Sequence, residues 1–412
     1  MKRRVAITGL GAVCPLGLDV EQVLASLRAA SSGIVAMECA TLGATFPAGR
    51  VQADYATAFP KLEQPFLDRC QAMAIVAARQ AIAEAGLDGF ADFGARAGLH
   101  YGNVNGGVAT IHQWHEDMLL HGKRKARPFT AMAIMSNGGG AQVAIRHAIR
   151  GPVLTHASAC ASSTIAIGEA MRAIADGRLD IAVAGGAEAP LEAPLFGVFD
   201  GTRAMSPVDD ADPARSCKPF SRDRSGLVLG EGAAFLVLEA EDHARARGAV
   251  IHGYLVGYGV ACDAHHIGMP ASDGQVRCLR AALDDAGLAP AQVDYVNAHA
   301  TATDGGDAIE AASLREVFGT GMDAPAVSST KSVHGHLLGA AGALECLVTV
   351  LAVREGLLPA SAHLGTPDLR CDLNHVGERA RQGRIGHALA FSCGFGGTNA
   401  ALVIAHPDIP AR

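Results

Sequence analysis

The chain has 412 residues, 49% of them hydrophobic, and a formal net charge of −7 at pH 7. This apolar content can fill one large two-part domain or two ordinary ones, so a disordered chain is excluded. The acidic balance argues against a general nucleic-acid binder, and no apolar run reaches the roughly 18 residues of a membrane span. The ten cysteines lack the spacing of a disulfide framework or a CxxC zinc site, so we expect a reducing, cytoplasmic setting.

The first segment is apolar and enters a strand directly, with no expected signal peptide. Within it, GLGAVC (9–14) resembles half of a dinucleotide fingerprint. Cys14 stands where the third glycine would be and no suitably placed acidic residue follows, so a nucleotide-binding Rossmann unit is disfavoured. Strand patterns alternate with helical stretches along the rest of the chain, which indicates an α/β protein.

A cluster of basic residues interrupts the acidic chain at 121–129. It comprises Lys123, Arg124, Lys125 and Arg127. A charge run of this kind is most often a solvated loop.

Cys160, in THASACASST (155–164), falls where a hydrophobic segment gives way to a small-residue helix start. The first N–H groups of a helix lack intrahelical partners and the helix dipole is positive there, which favours thiolate over thiol. The residue is therefore a candidate nucleophile, although most cysteines in such chains are buried and inert.

Two histidines follow strand ends in the second part of the chain. His299 comes just after the alternating pattern that ends at residue 297, and His336 lies between a short strand and a long apolar helix expected to begin near Leu337. Lys331 lies in the same loop as His336. Catalytic groups concentrate in such loops because the sheet and helix fix the side chain while the loop leaves it open.

The last segment, 387–406, predicts a buried strand, a glycine turn and a second strand. Phe395 lies within GFGG, flanked by Gly394 and Gly396. Glycines let the backbone come close to a ligand, so that free N–H groups can point at a developing oxyanion; a plain hairpin turn is the alternative.

Together, SACASS, VNAHATAT, STKSVHGHLLGAAGA and GFGGTN occur in an order that resembles the β-ketoacyl-acyl-carrier-protein synthases of the elongating type. The resemblance extends over nearly the whole chain. It implies an α/β, thiolase-like fold, in which two related halves form a five-layered αβαβα domain that dimerises. We expect the first half to span residues 1–250 and to contain the nucleophilic cysteine, and the second half to span residues 251–412 and to contain both histidines.

The resemblance implies a role for each motif. Cys160 would carry the acyl group as a thioester, and malonyl-carrier would then lose CO₂ and extend the chain by two carbons. His299 and His336 would donate hydrogen bonds to the enolate oxygen, and the backbone N–H groups of Cys160 and Phe395 would hold the other oxyanion. Lys331 and Glu345 would support the histidines electrostatically or form a structural ion pair. No cofactor or metal is expected.

The resemblance also implies partners. The basic residues 123–127 would help to dock the acidic acyl carrier protein, whereas the family's second basic cluster is represented only by Lys61 and Arg69. The partner subunit would be identical, giving a homodimer, or a related ketosynthase-like subunit, giving a heterodimer.

Two alternatives remain at this point: a thiolase-like acyl transferase that uses coenzyme A thioesters, and a non-catalytic chain-length subunit. Cys393, beside GFGG, keeps the thiolase alternative open, since thiolases use a second cysteine. It also replaces a bulky phenylalanine common in the family, while Ala300 and Ala302 replace Gly and Ser. A small residue at 393 predicts an unusual acyl group.

A metallohydrolase is a weaker hypothesis. Histidine pairs at 112 and 115, at 265 and 266, and at 334 and 336 provide ligand types, but they lack recognisable ligand spacing.

Overall fold

The structure, a computed structural model, describes residues 2–410, and the side chains of all of these except 56 and 57. No helix within this range combines the length and the apolar character needed to cross a bilayer.

The first half contains eight strands and eight helices. The strands are β1 (Val5–Val13), β2 (Ile34–Cys39), β3 (Ala44–Gly49), β4 (Ala97–Gly102), β5 (Val153–His156), β6 (Ile181–Glu188), β7 (Leu229–Gly230) and β8 (Gly232–Ala240). The helices are α1 (Val20–Ala29), α2 (Arg69–Glu84), α3 (Val108–His121), α4 (Thr130–Ile134), α5 (Gly138–Arg146), α6 (Ser162–Ala175), α7 (Ala193–Gly201) and α8 (Glu241–Ala246).

The second half contains the remaining elements. The strands are β9 (Gly253–Cys262), β10 (Tyr295–Asn297), β11 (Ala326–Ser328), β12 (Leu357–Leu358), β13 (Arg381–Gln382), β14 (His387–Gly394) and β15 (Thr398–Ala405). The helices are α9 (Ser272–Ala286), α10 (Asp304–Phe318), α11 (Lys331–His334) and α12 (Ala341–Glu355).

The strand order reveals an internal duplication. Hydrogen bonds join ten strands in the order β11-β10-β14-β15-β9-β1-β8-β6-β4-β5. Each half contributes five strands to this sheet. Outward from the middle they are β1, β8, β6, β4 and β5 in the first half and β9, β15, β14, β10 and β11 in the second, so in both halves the chain order of the five strands is first, fifth, fourth, second and third. Both halves also have two antiparallel pairings followed by two parallel ones. The halves join where β1 and β9 pair antiparallel, with Val5 opposite Leu255. The expected two related halves are therefore present.

Helices complete the expected five layers. Helices α2 and α5 cover one face of the first half-sheet, α9 and α10 cover one face of the second, and α6 and α12 pack against each other between the two half-sheets. Every residue of 341–353 in α12 is buried. A helix that is apolar on all sides belongs in an interior, and this one lies at the centre of the molecule.

Small residues let α2 approach β1 closely. A Cβ added to Gly9 would lie 2.1 Å from the carbonyl oxygen of Ala81, and one added to Gly11 would lie 2.0 Å from that of Ala77. The backbones of helix and strand therefore touch directly.

Element boundaries differ from the expectations by a few residues. The long apolar helix begins at Ala341, because a 3₁₀ turn at Leu338–Ala340 precedes it.

Candidate active site

Cys160 lies in a tight turn between β5 and α6. Ala159, directly before it, has a φ of 48°, a left-handed conformation that costs a non-glycine residue about 1 kcal/mol. The turn is closed by Ala161, whose N–H donates to the carbonyl oxygen of Ser158 at 3.1 Å, and by the Ser162 hydroxyl, which accepts from the Ser158 N–H at 2.8 Å. This geometry presents the thiol at the start of α6.

His336 is fixed by its backbone to the first half. Its N–H donates to the Val228 carbonyl oxygen at 2.7 Å, and its own carbonyl accepts from the Gly230 N–H at 2.9 Å. Its Nε2 lies 2.9 Å from Cys160 Sγ. A nitrogen and a sulfur at this distance can exchange a proton directly.

His299 follows β10 and is held by Glu310 on α10. The Glu310 carboxylate accepts hydrogen bonds from the N–H groups of His299 and Ala300, each at 2.7 Å. The His299 ring lies edge-on to the His336 ring, with 5.3 Å between the centroids. Sequence reasoning missed Glu310, since a single acidic residue within a helix of mixed polarity gives no distinguishing signal.

The three predicted residues thus meet in one place. One nitrogen of each histidine and Cys160 Sγ all lie within 4.8 Å of one another, and all three residues are buried. In the described part of the chain this is the only such group of three or more His, Cys, Asp or Glu side chains.

The same three side chains are ligand types for zinc, but their surroundings do not favour a metal. Zinc-bound histidines usually donate their second nitrogen to a carboxylate or carbonyl oxygen. Nδ1 of both His299 and His336 is buried without a protein hydrogen-bond partner. His334 is not available, because its ring nitrogens contact the Gly335 carbonyl at 2.7 Å and the Thr330 hydroxyl at 3.1 Å.

The protonation state of Cys160 differs from the expectation. Burial raises the pKa of the thiol to about 11, although the Lys331 charge and the N–H groups of Phe395 and Cys160 lower it. The expectation that the helix start alone makes thiolate the resting form is therefore wrong. Desolvation outweighs the helix terminus, so the protonated thiol predominates near neutral pH.

Both histidines are neutral near pH 7. Burial lowers the pKa of His299 and of His336 well below the ordinary value, and the nearby Lys331 charge lowers both further. A neutral imidazole has one N–H donor and one acceptor nitrogen. Each ring can therefore act as hydrogen-bond donor or as base, according to its tautomer.

Lys331 and Glu345 form a buried ion pair behind the histidines. Their side chains are 0% and 1% exposed, and the ammonium donates to one carboxylate oxygen. Burial raises the pKa of Glu345 to about 7, against the effect of Lys331. The pair links the start of α11 to α12. The Lys331 charge lowers the pKa of Cys160, His299 and His336.

The glycine turn lies against the cysteine turn. A Cβ on Gly394 would lie 2.8 Å from the Ser158 carbonyl oxygen, so only glycine allows this contact. The Phe395 N–H contributes a hydrogen bond that lowers the Cys160 pKa, as does the N–H of Cys160 itself. Two backbone donors thus point to the reactive sulfur, while the half-exposed Phe395 ring lies at the cavity wall.

A single cavity of about 580 Å³ reaches Cys160, His299 and His336. Phe395, its flanking Gly394 and Gly396, and Cys393 also line it. Cys393 is outside the close cluster of reactive groups.

Ala300 and Ala302 stand where the family commonly has Gly and Ser. Ala302 has a φ of 66° whereas Ala300 does not have a positive φ, so of these two residues only Ala302 carries backbone strain.

The basic residues lie on an exposed loop after α3. Lys123, Arg124, Lys125 and Arg127 are all exposed, and the Lys123 Nζ is 2.8 Å from Asp117 Oδ1. Arg69, from the second, thin cluster, is instead paired with the buried Glu231 at 2.6 Å. It is therefore not free to contact a carrier.

Comparisons with known proteins agree with this site. The family model "Beta-ketoacyl synthase, N-terminal domain" matches residues 2–244, and "Beta-ketoacyl synthase, C-terminal domain" matches 252–365. A 3-oxoacyl-[acyl-carrier-protein] synthase 2 of Staphylococcus aureus is 38% identical over 409 residues, which cover 97% of this chain and 98% of the relative.

Two solved structures are also similar over at least 98% of this chain and all of the other chain. The ishigamide ketosynthase/chain length factor has a TM-score of 0.91 at 32% identity. A type II polyketide acyl-carrier protein in complex with its ketosynthase, bound to the hexaketide, gives 0.88 at 29% identity. The duplicated fold, the converging cysteine and histidines, and these matches lead to one conclusion: the chain belongs to the beta-ketoacyl synthase family.

Proposed function

We propose that this protein condenses an acyl group held on Cys160 with malonyl-acyl-carrier protein, releasing CO₂ and a β-ketoacyl-carrier product two carbons longer. The supporting observation is the 2.9 Å contact between Cys160 Sγ and His336 Nε2. His299 lies beside them in the same cavity. The family membership supports the reaction class.

The first stage transfers the acyl group to the enzyme. Cys160 passes its proton to His336 and attacks the thioester carbonyl, and the N–H groups of Cys160 and Phe395 stabilise the oxyanion. When the intermediate collapses, the carbon–sulfur bond to the carrier breaks and His336 returns the proton to the departing thiolate. The acyl-enzyme then forms with both histidines neutral.

The second stage uses the histidines as donors. Loss of CO₂ from the malonyl group leaves an enolate, whose oxygen accepts a hydrogen bond from the His299 N–H and one from His336 in the tautomer that carries its proton on Nε2. The enolate carbon attacks the acyl thioester, the carbon–sulfur bond to Cys160 breaks, and the departing thiolate takes a proton from solvent to restore the thiol. Preorganised donors in a buried site stabilise this charge without reorganisation, and each neutral imidazole can supply one such donor.

Partners are part of the proposal. We assign carrier docking to the exposed basic residues 123–127. We also propose that a second subunit, identical or related, pairs with the free edge of β5, where Val153 and Leu154 are 38% and 47% exposed. Of the two similar structures, the type II polyketide complex contains an acyl-carrier protein and the ishigamide structure contains a chain length factor.

We propose that the halves divide near residue 250, between β8 and β9, which the repeated strand order supports. A cytoplasmic location is supported by the ten cysteines, all of which are free thiols.

Mass spectrometry of the intact protein and its products tests the function. Purified protein is mixed with a panel of acyl-carriers and malonyl-carrier, with coenzyme A thioesters as the parallel arm. We expect an acyl adduct on Cys160 and a carrier product lengthened by two carbons. Turnover of coenzyme A thioesters alone would indicate a thiolase, and no adduct with any donor would indicate a non-catalytic subunit.

A further inference from the structure

The three reactive side chains also form a set of ligands for a soft metal ion. One nitrogen of His299, one of His336 and Cys160 Sγ lie within 4.8 Å of one another. Thiolate and imidazole are ligands that zinc prefers, whereas Mg²⁺ and Ca²⁺ require oxygen ligands. Zinc sites with three protein ligands leave the fourth position to water, and the cavity that reaches all three side chains has room for it.

The distances in the cluster are close to those that zinc needs. Zinc lies about 2.3 Å from sulfur and about 2.0–2.1 Å from nitrogen, so tetrahedral coordination places its ligand atoms about 3.3–3.6 Å apart. The distance from Cys160 Sγ to His336 Nε2 is 2.9 Å, so this pair must open by about 0.7 Å to admit the ion. A rotation of the Cys160 side chain by less than about 30° moves Sγ that far and stays within one rotamer well.

Two features of the surroundings weaken such a site without abolishing it. His336 Nδ1, the nitrogen not in contact with Cys160, is buried without a hydrogen-bond partner among the residues that the structure describes. Loss of such an outer partner typically lowers metal affinity by about 10–100-fold. The Lys331 ammonium opposes a second cation nearby, although Glu345 pairs with it. These features indicate a metal that exchanges with the solvent rather than a resident one.

We propose that Cys160, His299 and His336 reversibly bind a zinc ion, and that the bound metal inhibits the protein. The Cys160 thiol releases its proton to the solvent as the sulfur–zinc bond forms, each imidazole coordinates through one nitrogen lone pair, and no electron is transferred. The sulfur is then unable to attack a thioester, and the two coordinating nitrogens are unable to act as base or donor. The metal site itself requires only these three side chains and does not depend on the condensation proposed above.

Equilibrium dialysis of the full chain against zinc, followed by metal analysis, tests the site. We expect about one zinc ion per wild-type chain, removable by a chelator, and none in Cys160→Ala or His299→Ala at the same free zinc concentration. Cys262→Ala, which removes the exposed thiol, is the matched control and should keep the metal. Mg²⁺ should not compete, because the cluster has no oxygen ligand.

Cobalt identifies the ligand. Co²⁺ bound to the wild type and to Cys262→Ala should show a thiolate-to-metal charge-transfer absorption that Cys160→Ala lacks, and circular dichroism checks that each variant is folded. A second measurement needs no variant. At a free zinc concentration ten times the dialysis Kd, modification of Cys160 by iodoacetamide in the wild type should slow by about tenfold, and a chelator should restore the rate.

Zinc that binds equally to the wild type and to Cys160→Ala would lie elsewhere on the protein and would overturn the proposal. Failure of the wild type to bind zinc, or alkylation of Cys160 at an unchanged rate in the zinc-loaded protein, would also overturn it. The acyl-carrier assay, run with a chelator present, tests the condensation separately. Zinc binding without any acyl adduct in that assay would overturn the proposed function and leave the metal site standing.

Discussion

Glu310 holds the backbone of His299, because its carboxylate accepts the His299 and Ala300 N–H groups at 2.7 Å each. Glutamine can accept only one of these bonds in the same position. We expect Glu310→Gln to reduce malonyl decarboxylation by about tenfold, through a displaced His299, and to affect Cys160 acylation less. Separate assays of CO₂ release and of acyl-enzyme formation measure the two effects; equal losses would show that Glu310 does not act through His299.

The same variant tests the charge of Glu310. Burial and the neighbouring Asp307 raise its pKa to about 8 in the folded protein. The unfolded chain releases this proton at lower pH, so folding stability is lost as pH rises from about 5 to 8. We expect the stability of Glu310→Gln relative to wild type to rise across this range and to level off above it, measured by denaturant unfolding. A constant difference would contradict a buried, protonated Glu310.

The pH dependence of Cys160 alkylation should reflect the raised pKa of its thiol. Because the pKa is about 11, the thiolate fraction increases about tenfold per pH unit throughout the neutral range. We expect the rate of modification by iodoacetamide to keep rising up to pH 9, with Cys160→Ala as the control for the exposed Cys262. A plateau below pH 8 would instead indicate a stable thiolate–imidazolium pair.

Replacing His336 and replacing His299 should affect the two stages of the reaction differently. Only His336 contacts the Cys160 sulfur, so His336→Ala should slow both acylation and decarboxylation. His299→Ala should spare acylation and reduce decarboxylation by about 100- to 1,000-fold, the usual effect of losing one oxyanion donor. Single-turnover acylation and malonyl-carrier decarboxylation are the measurements; identical profiles for the two variants would refute the division of roles.

The ion pair between Lys331 and Glu345 should be costly to break. Replacing Lys331 alone leaves a buried carboxylate unpaired, so Lys331→Met should destabilise the protein by about 3–5 kcal/mol. The double variant Lys331→Met with Glu345→Leu should recover part of this loss. Denaturant unfolding of the wild type, Lys331→Met, Glu345→Leu and the double variant measures the coupling, and additive losses would show that the pair is not energetically linked.

Charge reversal tests the docking loop. Arg124→Glu with Lys125→Glu should raise KM for acyl-carrier substrates, mainly at low salt, and leave turnover of a small acyl-pantetheine thioester unchanged. Lys123→Glu should have a smaller effect, because Lys123 is already paired with Asp117. Arg381→Glu with Arg384→Glu, at exposed positions on and just after β13, makes the same change in net charge and is the matched control. Equal effects from the two double variants would point to net charge alone.

The sequence alone was sufficient to identify the candidate residues that lie in loops with a recognisable local sequence pattern. Cys160, His299, His336 and the GFGG turn lie at strand ends, where hydrophobic periodicity and glycine content mark the boundary, and in the structure they line one cavity. Features that depend on packing between distant segments could not be predicted. The Cys160 pKa depends on how completely the two halves bury it, and Arg69 finds Glu231 from 162 positions away.

The repeated strand order places the proposed nucleophile and the proposed base in different halves of the chain. Cys160 follows β5, and Lys331 and His336 follow β11, the equivalent strand of the other half, so the proposed nucleophile and the proposed base occupy equivalent corners of two copies of one unit. A symmetric pair of identical subunits would present the same side chain from both sides. Joining the copies in a single polypeptide allows each corner to specialise, and neither half alone contains a complete set of reacting groups.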